Sequence, residues 1–231
     1  MKSAFSTSLD WDAIKNEYQK DLRVRVDNIW TAEHANMIGQ SLAKKTQFGH
    51  AYTQDGRAIE SSEQTLASMS LAERKQLFGN IYKDASKGVG FWYGRHMVNP
   101  SSPKILVDAK DYLNSEAALE KIRYISGRSD IKLASAQGTR YTAGNFLTRH
   151  NDILEREGRI LAFVLSFTPK WHPDWGGLLQ FYQNDGTPRD AWTPKFNSMT
   201  LFDVRHVHAV TYLPPFSPIQ RLSITGWFRS C

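Results

Sequence analysis

The stretch "RYTAGNFLTRHND", residues 140–152, contains the end of one predicted strand, a glycine-containing turn and a second predicted strand. It finishes with His150 and Asp152, two potential metal ligands that are separated by a single residue. Because side chains alternate in direction along a strand, residues i and i+2 project to the same side, and we expect this imidazole and this carboxylate to reach one point in space. The stretch therefore predicts two corners of a metal site.

A third ligand is available far along the chain, in "DVRHVHAV", residues 203–210. His206 and His208 would point the same way on one strand, so we expect only one of them to complete the site. Two histidines and one carboxylate, with the remaining positions open, form the facial triad that is typical of non-haem Fe(II) oxygenases. The open positions would accommodate a chelating 2-oxo acid and O2.

A chelating cosubstrate with a distal carboxylate also needs a cation at the far end of its pocket. Arginine suits this role because its planar fork pairs with a carboxylate in a bidentate manner. In "RLSITGWF", residues 221–228, strand alternation places Arg221, Ser223, Thr225 and Trp227 on one face. Arg221 and Ser223 are therefore candidates to bind one carboxylate together, and the alternative is a polar stripe that faces solvent.

The bulk composition is that of an ordinary globular protein. The chain has 231 residues, of which 41% are hydrophobic, 12% aromatic and 23% charged, a length that one large domain can accommodate. The net charge of +6 favours acidic partners in diffusional encounter, although an evenly basic surface is the simpler interpretation.

The single cysteine, Cys231, excludes an intrachain disulfide and a cysteine zinc site, as is usual in a reducing compartment. The start of the sequence, "MKSAFSTSLDWDAIKNEY", lacks the apolar run of a secretory signal, and no stretch of about 18 apolar residues follows. We therefore expect a cytoplasmic location and no membrane partner.

Helix signals precede strand signals along the chain. Helices are predicted from Thr31 to about Leu42, after the capping box of Ser70 and Glu73, and from about Ser115 to Ile125. A strand is predicted in "KGVGFWYGRH", residues 87–96, and from about residue 130 onward strands and turns follow one another, including "RILAFVLSF", "LLQFYQ", "SMTLFDV" and "HAVTYL". This order predicts an α+β fold, mainly β, with helices packed on an antiparallel sheet or barrel.

Six motifs in a fixed order resemble the 2-oxoglutarate and Fe(II)-dependent oxygenases of the prolyl-4-hydroxylase-like superfamily. They are YxxGxFLxxHxD (141–152), RxLAFV (159–164), WxxDxGGxL (171–179), PxFNxxxLF (194–202), HxV (208–210) and RxSxTGWF (221–228). The resemblance covers about residues 130–229 and implies a double-stranded β-helix, the cupin-like jelly-roll barrel. Residues 1–231 are then expected to form a single dioxygenase domain, with helical support over about 1–130 and the catalytic barrel over about 130–229.

The resemblance also implies a role for each site residue. His150, Asp152 and His208 would bind Fe(II), with His208 preferred over His206 because Val210 completes the HxV pattern. Arg221 would pair with the C5 carboxylate of 2-oxoglutarate. Tyr141 and Ser223 would form hydrogen bonds with the same carboxylate. O2 is the other cosubstrate and ascorbate a further candidate. One departure is Ser166, which stands where several relatives carry a second pocket tyrosine.

The function implied is hydroxylation of a prolyl or other side chain of a protein substrate, with release of succinate and CO2. The alternative is hydroxylation of a free amino acid or another small molecule, such as a natural-product intermediate. An AlkB-like nucleic-acid demethylase is less favoured because position 227 is Trp rather than a second arginine. A jelly-roll binding module without catalysis is disfavoured because the ligands and Arg221 are all present. The sequence leaves the oligomeric state open.

Overall fold

The computed structural model of the chain describes residues 4–231. The helices in this range are α1 (Trp11–Asp21), α2 (Ala32–Lys44), α3 (Glu63–Ser68), α4 (Leu71–Ala85), α5 (Lys104–Leu113) and α6 (Glu116–Ser126). The strands are β1 (Arg23–Asp27), β2 (Gly49–Gln54), β3 (Arg57–Ser61), β4 (Phe91–Met97), β5 (Leu133–Tyr141), β6 (Phe146–His150), β7 (Arg159–Ser166), β8 (Leu179–Tyr182), β9 (Pro188–Trp192), β10 (Ser198–Asp203), β11 (His208–Val210) and β12 (Arg221–Arg229).

The three predicted helices are confirmed, and their caps explain where they begin. The side chain of Thr31 accepts a hydrogen bond from the His34 N–H at the start of α2, and Ser115 caps α6 in the same way. At the start of α4, the N–H of Ser70 donates to the Glu73 carboxylate while the N–H of Glu73 donates to the Ser70 hydroxyl. This reciprocal pair is the predicted capping box.

All strands join one curled antiparallel sheet. Ten of them follow in the order β1-β10-β7-β12-β5-β4-β6-β11-β8-β9, while β2 pairs with β4, and β3 pairs with β2. This is the predicted jelly-roll fold. Its two edge strands, β1 and β9, meet through side chains: the Arg23 guanidinium donates two hydrogen bonds to the Asp190 carboxylate at 2.6 and 2.7 Å. The ring of Trp192 lies beside the same guanidinium, 5.0 Å from Cζ to the ring centroid.

The helices cover the outer face of the sheet on two sides. Helix α2 packs against β12, and α5 packs against β5, whereas α4 packs against β2 and β4. The largest hydrophobic cluster contains residues from both halves of the chain, from Phe5 through Leu42 to Phe228. Strand β10, which lies between β1 and β7, is buried along its whole length. The helices therefore leave the concave face of the sheet free to form a site.

Candidate active site

Three side chains that could hold a metal ion meet on the concave face of the sheet. One ligand atom from each of His150, Asp152 and His208 lies within 4.8 Å of the others. Oδ1 of Asp152 is 3.6 Å from Nε2 of His150, and Oδ2 of Asp152 is 3.5 Å from Nε2 of His208. Side chains that are 58 residues apart in the sequence therefore converge on one point.

The backbone at the end of β6 brings His150 and Asp152 together. Strand β6 ends at His150, and Asp152 lies beyond it, held by a 2.9 Å hydrogen bond from its N–H to the carbonyl of Val204. The expected convergence of His150 and Asp152 is observed, with Asp152 two residues past the last strand position of β6.

An irregularity in the pairing of β6 with β11 also contributes. His208 pairs with His150, but Val210 pairs with Leu147, so two steps along β11 correspond to three along β6. A bulge of this kind reverses which face the following residues occupy. Leu147 and His150 both line the interior cavity, as do Thr148 and Arg149 between them.

Each histidine is oriented by a contact with a nearby carbonyl. Nδ1 of His150 lies 2.9 Å from the Thr148 carbonyl, and Nδ1 of His208 lies 2.9 Å from the His206 carbonyl. A carbonyl can only accept, so each Nδ1 carries the proton and each Nε2 presents a lone pair towards Asp152. Burial, followed by the neighbouring His150, lowers the pKa of His208 to about 4, so this imidazole is neutral at physiological pH. Neutral imidazole is the form that binds metal.

His206, the other candidate for the third position, points away from the cluster. Its Nε2 lies 2.8 Å from the carbonyl of Asp21, and its ring packs edge-on against Phe181. The structure therefore brings together His208, not His206, with His150 and Asp152.

These donors fit an Fe(II) ion. Two imidazole nitrogens and one carboxylate that face an open cavity match the facial arrangement of non-haem iron sites. The cavity has a volume of about 540 Å³, and its lining includes all three groups together with Arg221 and Tyr141. A small organic ligand could lie between the cluster and the arginine.

Arg221 is a buried cation without an anionic partner. Its side chain is 3% exposed, burial lowers its pKa, and it makes no salt bridge to any residue between 4 and 231. Its Nε and the hydroxyl of Ser223, which is also buried, have no hydrogen-bond partner in the described chain. Burying a guanidinium is costly unless an anion accompanies it, so this end of the cavity is suited to a carboxylate ligand.

Tyr141 lies directly beside this arginine. The Cζ atom of Arg221 is 5.3 Å from the centroid of the Tyr141 ring, and the ring of Tyr93 stacks on Tyr141 with its centroid 5.0 Å away. Burial raises the pKa of the Tyr141 phenol, which therefore stays protonated and can donate to an anion.

Ser223 shares a row of small hydroxyl side chains. It pairs with Thr139 on one side and with Ser166 on the other, and Ser166 pairs in turn with Ser198. Side chains directly opposite each other in antiparallel strands point to the same face, and Thr139 lines the cavity. The hydroxyl of Ser166 is buried without a partner, so the position that departs from the family pattern adds another free polar group beside Ser223.

Three arginines besides Arg221 line the cavity, namely Arg95, Arg149 and Arg159, and their local sequence did not single them out. Arg159 lies with its Cζ 3.5 Å from the Trp227 ring centroid and its Nη1 3.8 Å from Oδ1 of Asp152. Arg95 donates to the hydroxyl of Tyr93 and forms a 2.6 Å salt bridge with Glu60. Arg159 opens a motif that was noted in the sequence, whereas nothing in the local sequence around Arg95 indicates an inward orientation.

Comparison with known proteins relates the segment that carries the site to one family. The model of the 2OG-Fe(II) oxygenase superfamily matches residues 136–229, the segment that carries the site. The chain is 29% identical over 178 residues to prolyl 3-hydroxylase OGFOD1 of Mus musculus, a match that covers 74% of this chain and 30% of that protein. The chain thus spans less than a third of the length of this relative.

Two solved structures share the fold. A prolyl hydroxylase from Trichoplax adhaerens, solved with a peptide fragment of the hypoxia inducible factor oxygen degradation domain, gives a TM-score of 0.65 at 18% identity, over 95% of this chain and 89% of that one. A Pseudomonas putida prolyl-4-hydroxylase gives a TM-score of 0.62 at 16% identity, over 96% of this chain and all of that one.

The described helices include none that is both long and apolar enough to cross a membrane. The jelly-roll sheet, the cluster of two histidines and an aspartate, and the match over residues 136–229 agree with one another. Over residues 136–229 the chain is similar to the 2OG-Fe(II) oxygenase superfamily.

Proposed function

We propose that the chain is an Fe(II)- and 2-oxoglutarate-dependent dioxygenase that hydroxylates a prolyl or other side chain of a protein substrate. The observation that carries the proposal is the cavity with a triad of metal-binding groups in its wall and the buried, unpaired Arg221 beside it. A protein substrate is supported by the curated relative, which is named as a prolyl hydroxylase.

In this proposal His150, Asp152 and His208 hold Fe(II), and Arg221 binds the distal carboxylate of 2-oxoglutarate. Tyr141 and Ser223 stand next to that arginine and donate hydrogen bonds to the same carboxylate. When bound, the metal and the 2-oxo acid supply the activation of O2, with succinate and CO2 as by-products.

The protein side chains contribute charge, orientation and protection from water. Asp152 provides the one negative charge of the triad, and Arg159 lies close enough to limit the rotation of its carboxylate. Phe202 and Phe181 pack around the His208 ring, with centroids 4.7 and 6.3 Å away. A site with apolar walls strengthens the interaction of each charged group with its ligand.

A cytoplasmic location is part of the same proposal. Its support is the cysteine content, a single exposed thiol at Cys231 that forms no disulfide.

The test of cosubstrate binding is the visible metal-to-ligand absorption band after anaerobic addition of Fe(II) and 2-oxoglutarate. Wild-type protein should give the band, and Arg221→Met should need a 2-oxoglutarate concentration about 10- to 150-fold higher to reach half of it, since a hydrogen-bonded charge is worth about 1.5–3 kcal/mol. Arg128→Met is the control, because Arg128 pairs with Asp130 on the surface. A wild-type protein without the band, or an unchanged requirement in Arg221→Met, would contradict the assignment.

The test of substrate class is succinate formation with a prolyl peptide library and a metabolite library in parallel. We expect peptides to stimulate turnover, and mass spectrometry of the peptide to show a gain of one oxygen. Stimulation by a free amino acid alone would replace the protein substrate by a small molecule.

A further inference from the structure

The carboxylate of the candidate metal centre presents both of its oxygens to the histidines. Oδ1 of Asp152 is 3.6 Å from Nε2 of His150, and Oδ2 is 3.5 Å from Nε2 of His208. A metal ion held by the two imidazoles would therefore meet two carboxylate oxygens at similar distances. The histidines by themselves do not decide whether one of these oxygens binds the metal or both do.

The number of bound oxygens matters because the metal has few coordination positions. Two histidines and a carboxylate that binds through one oxygen leave positions open, and a chelating 2-oxo acid takes a pair of them. If both oxygens of Asp152 bound, the additional oxygen would occupy the position that O2 needs. A group that holds one oxygen of Asp152 away from the metal would keep this position open.

Arg159 is placed to hold one of the two oxygens. Its Nη1 lies 3.8 Å from Oδ1 of Asp152, which is the distance of an ion pair rather than of a hydrogen bond. Among residues 4–231, it is the one arginine or lysine that forms a salt bridge with this carboxylate. The Arg159 side chain is 16% exposed and that of Asp152 is 9% exposed, so solvent ions screen the pair weakly.

Three neighbouring residues fix the guanidinium of Arg159. Its Nε donates a 2.9 Å hydrogen bond to the carboxylate of Glu157, and its Cζ lies 3.5 Å from the centroid of the Trp227 ring. Glu157 is held in turn, because its carbonyl accepts a 2.6 Å hydrogen bond from Nε of Arg229. With one edge and one face of the planar fork occupied, its Nη1 end is directed towards Asp152.

We propose that Arg159 is a positioning residue that holds Oδ1 of Asp152 away from the metal, so that the carboxylate binds through Oδ2 and a coordination position stays open for O2. The inference rests on the proposed function, since it needs a metal ion in this centre. It gives Arg159 a role that does not depend on the substrate and that acts before any substrate binds.

The test uses nitric oxide as a stable surrogate of O2, which reports on the open position without turnover. Wild-type protein with Fe(II) and 2-oxoglutarate, under nitrogen and without substrate, should bind nitric oxide and give the electron paramagnetic resonance signal of an iron nitrosyl. Arg159→Met should need a nitric oxide concentration on the order of 10-fold higher to reach half of this signal, as the loss of groups behind metal ligands typically costs 10- to 100-fold.

The affinity for iron separates positioning from a merely structural role. In equilibrium dialysis, Arg159→Met should bind Fe(II) at least as tightly as wild type, because both oxygens of Asp152 are then available to the metal. A structural role would weaken the binding of iron and of nitric oxide together. Arg159→Lys keeps the positive charge and should recover most of the affinity for nitric oxide.

Glu157→Ala is a second variant, which leaves the charge of Arg159 in place. It removes the carboxylate that holds Nε, so the affinity for nitric oxide should fall in the same direction as in Arg159→Met but by less. Circular dichroism and the thermal midpoint of each variant show whether it folds. If Arg159→Met does not fold, Glu157→Ala provides the test, and a wild-type affinity for nitric oxide in this variant would overturn the inference.

Arg25→Met is the matched control. Arg25 also lies near a tryptophan and a carboxylate, with its Cζ 5.9 Å from the centroid of the Trp192 ring and its Nε 3.7 Å from Oδ1 of Asp27. It belongs to β1 and is not among the residues that line the cavity. Its replacement should leave both affinities within about twofold of wild type.

Four results would count against the role of Arg159: a wild type that carries 2-oxoglutarate but takes up no nitric oxide, a wild-type affinity for nitric oxide in Arg159→Met, a joint loss of iron and nitric oxide binding in that variant, or an equal loss in Arg25→Met. The absorption band with Fe(II) and 2-oxoglutarate reports on the proposed function separately. A wild type without the band would contradict the proposed function. A protein with the band, in which Arg159→Met binds nitric oxide as wild type does, would keep the function and lose the role of Arg159.

Discussion

Single side chains at the candidate metal centre have unequal roles because only one of them is charged. Asp152 faces Nε2 of both His150 and His208, at 3.6 and 3.5 Å, and its side chain is almost fully buried. Two neutral imidazoles alone would attract a divalent ion through lone pairs, without a compensating negative charge. The carboxylate is therefore the residue on which metal affinity should depend most strongly.

We expect Asp152→Ala to weaken Fe(II) binding on the order of 100-fold or more, since even groups behind the ligands contribute 10- to 100-fold. Equilibrium dialysis followed by iron analysis measures this without turnover. Asp174→Ala is the control, because Asp174 is a largely exposed carboxylate in the loop after β7. Retention of iron by Asp152→Ala at the wild-type level would remove this residue from the metal site.

Most of the individual site residues could be predicted from the sequence, whereas their geometry could not. The sequence motifs contain His150, Asp152, His208 and Arg221. The spacing of a motif along the sequence stays the same where the backbone is irregular. The bulge opposite Val210 and the loop placement of Asp152 depend on pairing with β11 and on a hydrogen bond to Val204, both distant in sequence. Local alternation carries no information about such partners, so it predicted which residues converge and left the pairing of the backbone open.

At the level of elements, the predicted helices all carry a cap, but the capped helices α1 and α3, which begin after Asp10 and Ser62, were not predicted. Helices α2, α4 and α6 carry Thr31, Ser70 and Ser115 as caps, and strand β7 has an uninterrupted apolar run. Helix α5 was missed because it begins after Pro103 without a side-chain cap. The short strand β9 was also missed, since its polar sequence "PRDAW" gains stability only from β8 and from contacts with β1.

The contact between the edge strands β1 and β9 gives a prediction about stability. Arg23 is buried, with a side chain 7% exposed, and its guanidinium is shared by Asp190 and Asp21. Asp190→Ala leaves part of a buried cation without its partner, and we expect a loss of about 1–3 kcal/mol in the free energy of unfolding. Urea denaturation followed by tryptophan fluorescence measures the loss.

The control for this contact is an aspartate that pairs with an exposed lysine. Lys104 pairs with Asp108 along α5, and exposed pairs at this spacing contribute only about 0.3–0.5 kcal/mol. Asp108→Ala should therefore change the stability much less than Asp190→Ala. Equal losses in both variants would mean that the β1–β9 ion pair does not hold the sheet edges together.

At the scale of the whole molecule, the mainly helical part of the chain before residue 130 and the strands after it share one core. Leu42 on α2 is 1% exposed, and its Cδ2 lies 3.3 Å from the position of a Cβ on Gly138 in β5. The main cluster extends from Phe5 to Phe228 through both halves. We expect a shared core to couple the stability of the two parts of the chain. This coupling is what would make the chain a single domain, as predicted.

Leu42→Ala tests this coupling. Removing a fully buried leucine should lower the free energy of unfolding by about 2–5 kcal/mol, and the loss should be the same whichever half of the molecule reports it. Far-ultraviolet circular dichroism follows the helices, while a fluorophore attached to Cys231, next to the end of β12, follows the sheet.

Leu71→Ala, at an 86% exposed position on α4, provides the matched control and should shift neither transition appreciably. If Leu42→Ala separated the two transitions, with the helices melting first while the sheet kept its wild-type midpoint, the chain would consist of two folding units and the helices would only cover the barrel. Coincident transitions, displaced together, would mean that the helices contribute directly to the stability of the sheet that carries His150, Asp152 and His208.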